Sequence, residues 1–293
     1  MTAGPAQREI RRLDSMPGLP QLYAKALAGS LPIIGGGGDE LPEHALEVEV
    51  LDIDRDHLAA YCRVCGFGLR ESAVPPTYPH VLAFPLAMAL MSERSFPFPL
   101  LGLVHIANRI EQRGPIAAGS RPTFRLWAEN LRPHRRGRQL DVVCEARVGG
   151  EAAWREASTY LRRGAEGGDG AAGERPGLRE PDGEVAALWS VPGDVGRRYA
   201  EVSGDRNPIH LHGLAARPFG FPSAIAHGMW MKARCLAALE GRLGEALDAT
   251  VEFRSPLRIP GRARLRLASR DRRFGFALES PDGERTHLVG EAG

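Results

Sequence analysis

The chain of 293 residues, 43% hydrophobic and 25% charged, has the composition of a soluble globular protein and the length for one large or two ordinary cores. A formal net charge of +2 demands neither a polyanionic partner nor an acidic tail, and Lys25 and Lys232 are the only lysines beside many arginines. No uninterrupted apolar run reaches the roughly 18 residues of a membrane span, and the first twelve residues lack a basic-then-apolar leader pattern, so a cytoplasmic protein is expected.

In chain order, the Gly35-Gly36-Gly37-Gly38 run cannot hold a regular element. Residues 46–53 alternate apolar and acidic side chains as a strand does, residues 57–66 have helical spacing, and Pro75-Pro76 breaks the chain. An apolar helix is expected over 84–91, with Phe84, Met88 and Met91 packing inward, then strands over 103–110, 123–131, 139–148 and 152–162. Residues 163–183, rich in Gly, Glu, Arg and Pro, read as a surface linker. Beyond it come a helix over 229–239 and strands over 250–253, 263–269 and 274–278, with Pro281-Asp282-Gly283 as a turn between the last two strands. One helix followed by a run of strands, twice, implies an α+β architecture in which each sheet wraps a central helix.

Cys62, Cys65, Cys144 and Cys235 read as buried or half-buried free thiols, because Cys62-Arg-Val-Cys65 has no second C-x-x-C to complete a four-ligand zinc site. The basic stretch from Arg132 to Arg138 reads as a solvated turn, with phosphate or an acidic carrier as its functional alternative; its aromatic content is too low for a nucleic-acid surface.

Residues 199–231 carry the chemistry. Asp205 and His210 stand five residues apart, with Asn207 pushed toward an extended conformation by Pro208, so that the chain turns and aims both side chains at one point. A carboxylate beside an imidazole can move a proton near neutrality. Gly228, following His227, opens the apolar helix; lacking a Cβ, it lets a ligand approach first-turn amides that have no intrahelical partners. A zinc set of Asp205, His210, His212 and His227 is disfavoured, since His227 stands at the start of the apolar helix, where its backbone matters more than its ring. Ser203 lacks a nucleophile elbow and reads as a local turn or cap residue, and Trp230, Met231 and Leu236 read as core.

At Tyr199, Ser203, Gly204, Asp205, Asn207, Pro208 and His210, then Ile225, His227, Gly228 and Met229, the chain resembles the MaoC-like (R)-specific hydratases and dehydratases, in particular the double-hotdog (3R)-hydroxyacyl-thioester dehydratases of bacteria. His212 departs from that pattern, in which many members carry an acidic residue two positions after the histidine.

The front half holds a second, altered copy. Tyr61-Cys-Arg-Val-Cys-Gly-Phe67 aligns without gaps on the segment from Tyr199 to Asp205, 79–86 matches 222–229 in pattern, and 104–110 matches 251–257. Phe67 stands where Asp205 does, Ser72 where His210 does, and Phe84-Pro85 where His227-Gly228 does, so the first copy has lost the chemistry.

The resemblance implies two hotdog units: a degenerate acyl-chain-binding unit over 1–163, a linker over 164–183 and a catalytic unit over 184–293. It implies reversible dehydration of (3R)-3-hydroxyacyl thioesters, of coenzyme A or acyl carrier protein, to trans-2-enoyl thioesters. Asp205 and His210 would be catalytic, Asn207 would orient them, and the Gly228 amide would hold the thioester oxygen. Ser203, His227, Phe84 and Met88 would contact substrate. No metal or redox cofactor, nucleic acid or membrane span is expected, and the protein would act as a monomeric double hotdog or a homodimer. A hotdog thioesterase and a non-catalytic acyl-thioester-binding subunit are the alternatives.

Overall fold

A computed structural model of the protein describes residues 8–29, 40–50, 52–69, 72–100, 102–164, 177–217 and 220–293. The glycine run at 35–38 and most of the expected linker lie outside the described residues. The elements are β1 (Ile10–Arg12), α1 (Leu19–Gly29), β2 (Ala45–Glu49), α2 (Arg55–Cys65), α3 (Tyr78–Met91), β3 (Leu103–Gln112), β4 (Thr123–His134), β5 (Gly137–Val148) and β6 (Glu151–Arg163). There follow β7 (Glu184–Val191), α4 (Val195–Ser203), α5 (Pro208–Leu211), α6 (Gly213–Ala216), α7 (Gly228–Ala238), β8 (Leu247–Phe253), β9 (Gly261–Arg270), β10 (Arg273–Glu279) and β11 (Thr286–Ala292).

Two compact units are interleaved in the sequence. The first takes Met1–Ile53, Leu82–Asn108 and Gly119–Pro176; the second takes Asp54–Val81, Arg109–Ala118 and Gly177–Gly293. Compactness therefore groups α2, from the front copy, with the motif-bearing copy.

In the first unit the strands run β1-β2-β4-β5-β6-β3. β1 lies parallel to β2, whereas β2/β4, β4/β5 and β5/β6 are antiparallel. The register sets Trp127 opposite Val143 and Val143 opposite Ala157, and with Ala45 these residues form a buried apolar row across the strands. Gly149 and Gly150, both at positive φ, make the turn between β5 and β6 without the penalty a Cβ would bring. α3 begins six residues earlier than expected and runs through Pro85. The cost of an interior proline, about 3 kcal/mol, is offset because the helix is apolar around its circumference, with Leu86, Met88 and Leu90 at 1% exposure or less.

In the second unit the order is β8-β11-β10-β9-β7, and β10/β11, β9/β10, β8/β11 and β7/β9 are antiparallel. α7 packs on β10 and is buried along most of its length. Even Lys232 is fully enclosed, its Nζ donating to the Ala249 carbonyl on β8 at 2.9 Å. α2 is closed by its own chemistry. Asp54 accepts from the Asp56 and His57 amides, and Gly66 ends the helix at φ 82. Trp230 on α7 donates to the Val64 carbonyl of α2 at 3.0 Å.

Residues 177–183, expected as linker, are tied down in this unit: the Leu178 amide donates to Glu252, Glu180 accepts from Thr286 and Arg254, and Arg266 donates to the Gly183 carbonyl. The turn at 281–283 connects β10 to β11 as expected. No helix among the described residues is long and apolar enough to cross a membrane.

Candidate active site

The motif folds through a relay of side-chain-to-backbone hydrogen bonds. α4 ends at Gly204, whose φ of 75 places it in the left-handed region that glycine occupies cheaply. Ser203 Oγ then accepts from the Asp205 amide at 3.1 Å, Asp205 Oδ1 accepts from the Asn207 amide at 3.1 Å, and Asn207 Oδ1 accepts from the Ile209 amide at 3.4 Å. Each side chain thus fixes the backbone two residues on, the local bonding that suits Ser, Asp and Asn to turns. Asn207 is extended, as a residue before proline should be, and caps α5, with Pro208 at its first position where a missing N–H costs nothing. His210 follows on that single turn of helix.

Asp205, His210 and His227 converge, with one ligating atom of each within 4.8 Å of the others. His210 Nδ1 lies 2.8 Å from the Ile225 carbonyl, which can only accept, so Nδ1 carries the proton and Nε2 keeps its lone pair. By the same reasoning His227 Nε2 donates to the Asp205 carbonyl at 3.0 Å, while lying 3.9 Å from Asp205 Oδ2. The His210 and His227 rings stack at 3.7 Å and 25°, and Tyr199 lies 4.9 Å from His227. The Ile225 segment is itself anchored: its amide donates to the Ile209 carbonyl, and the Ala226 amide to that of Leu257.

Burial sets the charges. It lowers His210 below the usual imidazole value, against the opposing pull of Asp205. It lowers His227 to about 3, reinforced by His210. For Asp205 burial acts upward, but His227, His210, the Asn207 amide and His80 outweigh it and hold the carboxyl below its ordinary range. The resting site is an ionised, half-buried carboxylate beside two neutral imidazoles.

Gly228 is the first residue of α7, where its amide has no intrahelical partner; no other described group accepts from it, and the residue is partly exposed. Glycine here also has a reason within the protein. The volume a Cβ would occupy is taken by the Phe253 ring, whose Cε1, Cζ and Cδ1 would lie 3.1, 3.1 and 3.2 Å away.

Among the other expected site residues, Asn207 and Ser203 join the cluster as supports, Ser203 being 5% exposed and engaged with the Asp205 amide. Phe84 and Met88 lie on α3 within the first unit, half-buried and 1% exposed respectively. His212 is exposed at the end of α5 and stands outside the cluster. All four cysteines are buried free thiols, and desolvation pushes the Cys65 thiol well up from its ordinary value. The Arg132–Arg138 stretch forms the β4/β5 turn, where Arg132 pairs with Asp141 and Arg138 lies over Phe98. Asp205, His210 and His227 could reach one metal ion by distance alone. His210 Nδ1 and His227 Nε2 are, however, already engaged with the Ile225 and Asp205 carbonyls.

Sequence reasoning missed two contributors. Ile225 acts through its carbonyl, for which the only signal was its place in the motif. Gly196, in the first turn of α4, lies so close to the His210 carbonyl that an added Cβ would collide with it; a glycine inside a helical stretch was the sole hint.

A model of the MaoC-like domain matches residues 185–289. The chain is 38% identical over 269 residues to 3-hydroxyacyl-thioester dehydratase X of Mycobacterium tuberculosis, covering 90% of this chain and 94% of that protein. It is 36% identical over 105 residues to the 3-hydroxybutyryl-CoA dehydratase of Methylorubrum extorquens, covering 32% of this chain and 66% of that one. The crystal structure of HtdX from Mycobacterium tuberculosis superposes with a TM-score of 0.75 at 36% identity, covering 85% of this chain and 99% of that chain. The chain therefore has the double-hotdog fold, each unit setting a run of strands against a buried helix.

Two measurements probe this geometry. Gly196→Ala should lower unfolding stability by about 1–3 kcal/mol, the usual cost of overpacking, because the new methyl meets backbone that cannot rotate away; an unchanged denaturant midpoint would show that α4 and α5 are not pressed together. As pH falls below about 6.5 the unfolded chain gains histidine protons that the folded state refuses, so stability should drop by up to about 1.4 kcal/mol per pH unit for each such residue. His227→Gln should flatten this fall between about pH 6.5 and 4. Equal slopes in both proteins would mean that His227 is not held neutral.

Proposed function

Since this chain belongs to the MaoC-like dehydratase family, we propose that its second unit interconverts (3R)-3-hydroxyacyl and trans-2-enoyl thioesters. The observation that carries the proposal is the pairing of an ionised Asp205 with a neutral His210 whose Nε2 lone pair is left free by the Ile225 bond. Both groups accept hydrogen bonds, so together they can hold one water by its two protons.

In hydration, the pair takes a proton from that water as its oxygen bonds to C3. Electron density moves from the C2=C3 bond onto C2 and the thioester oxygen. The proton held by the pair then passes to C2 on the same face, and the sum is the addition of H2O. Dehydration reverses each step. Asp205 and His210 act as one coupled unit rather than as a separate acid and base. The Gly228 amide donates to the thioester oxygen as enolate character develops, helped by the positive end of α7. Because the thioester itself acidifies C2, neither metal nor redox cofactor has a step to perform. Coenzyme A and acyl carrier protein are both suitable carriers of the acyl group. α3 of the first unit, apolar around its circumference and with Phe84 half-buried, suits an acyl chain.

The test follows enoyl-CoA hydration by loss of enoyl absorbance while a thiol-trapping dye reports hydrolysis. Asp205→Asn and His210→Ala should each slow hydration by about a hundredfold or more, and the wild-type protein should release no thiol. Hydration undiminished in both variants, or thiol release at the rate of enoyl consumption, would contradict the proposal.

A further inference from the structure

We infer that Phe253 is a positioning residue for this reaction: its ring, lying where a Cβ of Gly228 would stand, sets where the first turn of α7 presents its free amide. The inference rests on the reading of Gly228 as the donor to the thioester oxygen.

Phe253 ends β8, paired with Leu288 on β11, and the next two amides, of Arg254 and Ser255, both donate to the His287 carbonyl. The backbone carrying the ring is therefore pinned from one side. Its target is pinned from the other: the Ala226 amide donates to the Leu257 carbonyl, the Ile259 amide to that of Ala224, and His227 is held through Asp205 and the His210 stack. Between these fixed backbones the half-buried ring fills the space where any other residue would carry its Cβ, with three ring carbons 3.1 to 3.2 Å from that position.

Such distances are shorter than ordinary carbon contact, so a methyl group at 228 must push either the ring outward or the helix start inward. A displacement of the donor by a fraction of an ångström is felt in the transition state, where donor geometry counts, more than in substrate binding. Glycine is thus required at 228 by its protein neighbour, and a smaller neighbour should make alanine tolerable.

The experiment is a size swap in the enoyl-CoA hydration assay with the full chain, measuring kcat and KM separately. Gly228→Ala should lower kcat by about a hundredfold with KM changed little. Phe253→Leu should lower kcat by about tenfold, and Phe253→Tyr, which keeps the ring, should retain most of the rate. The double variant Gly228→Ala with Phe253→Leu should recover at least about tenfold over Gly228→Ala alone, as coupled neighbours do and independent sites do not. A double variant as slow as the product of the single effects, or Phe253→Tyr as slow as Phe253→Leu, would overturn the inference. If Gly228→Ala does not fold, the leucine and tyrosine variants at 253 decide it. Failure of the underlying reading looks different: Gly228→Ala would then fold and hydrate enoyl-CoA at the wild-type rate whatever stands at 253.

Discussion

Three local hydrogen bonds, each donated by a backbone amide to a polar side chain two residues earlier, decide where the reactive groups point. Ser203 fixes Asp205, Asp205 fixes Asn207, and Asn207 fixes Ile209 and so starts the helical turn that bears His210. Take away this relay and the four residues between α4 and α5 have no reason to hold a carboxylate next to an imidazole. With it in place the surrounding burial takes over. Desolvation lowers both histidines and leaves them neutral near pH 7, while Asp205, with the Asn207 amide donating to it, stays ionised although it is half-buried.

The front copy shows what the same segment becomes when the relay is absent. Phe67, at the position of Asp205, is buried and stacks with Tyr61 at 6.4 Å. Tyr61 donates to Thr77 at 2.8 Å and lies 6.3 Å from Tyr199, the residue it aligns with. Gly66, like its counterpart Gly204, closes a helix in the left-handed region. The backbone has been conserved as a scaffold while the polar side chains were exchanged for aromatic packing, and α2 contributes that packing to the unit in which the motif works.

Much of this was legible in the residues. The strands after each helix, the turn at 281–283, the four inert thiols and the convergence of Asp205 with His210 all follow from periodicity, turn chemistry and motif spacing. What escaped had physical causes. β7 is an edge strand with Val185 and Leu188 exposed, so its alternation carries little signal. α3 runs through Pro85 because burial outweighs the local penalty, an override that no propensity contains. The part Phe253 plays at Gly228 was hidden for a similar reason, since the ring that excludes a Cβ there lies twenty-five residues away. The carbonyl of Ile225 and the close approach of the His210 carbonyl to Gly196 are backbone features, invisible in side-chain chemistry.

The central claim is a protonation pattern, and nitrogen-15 NMR of the imidazoles across a pH titration reads it directly. At about pH 7 His210 should be neutral with its proton on Nδ1 and His227 neutral with its proton on Nε2, and His227 should stay neutral down to about pH 4. A charged ring at either position near neutrality, or a His210 proton found on Nε2, would remove the lone pair on which the chemistry depends and contradict the account.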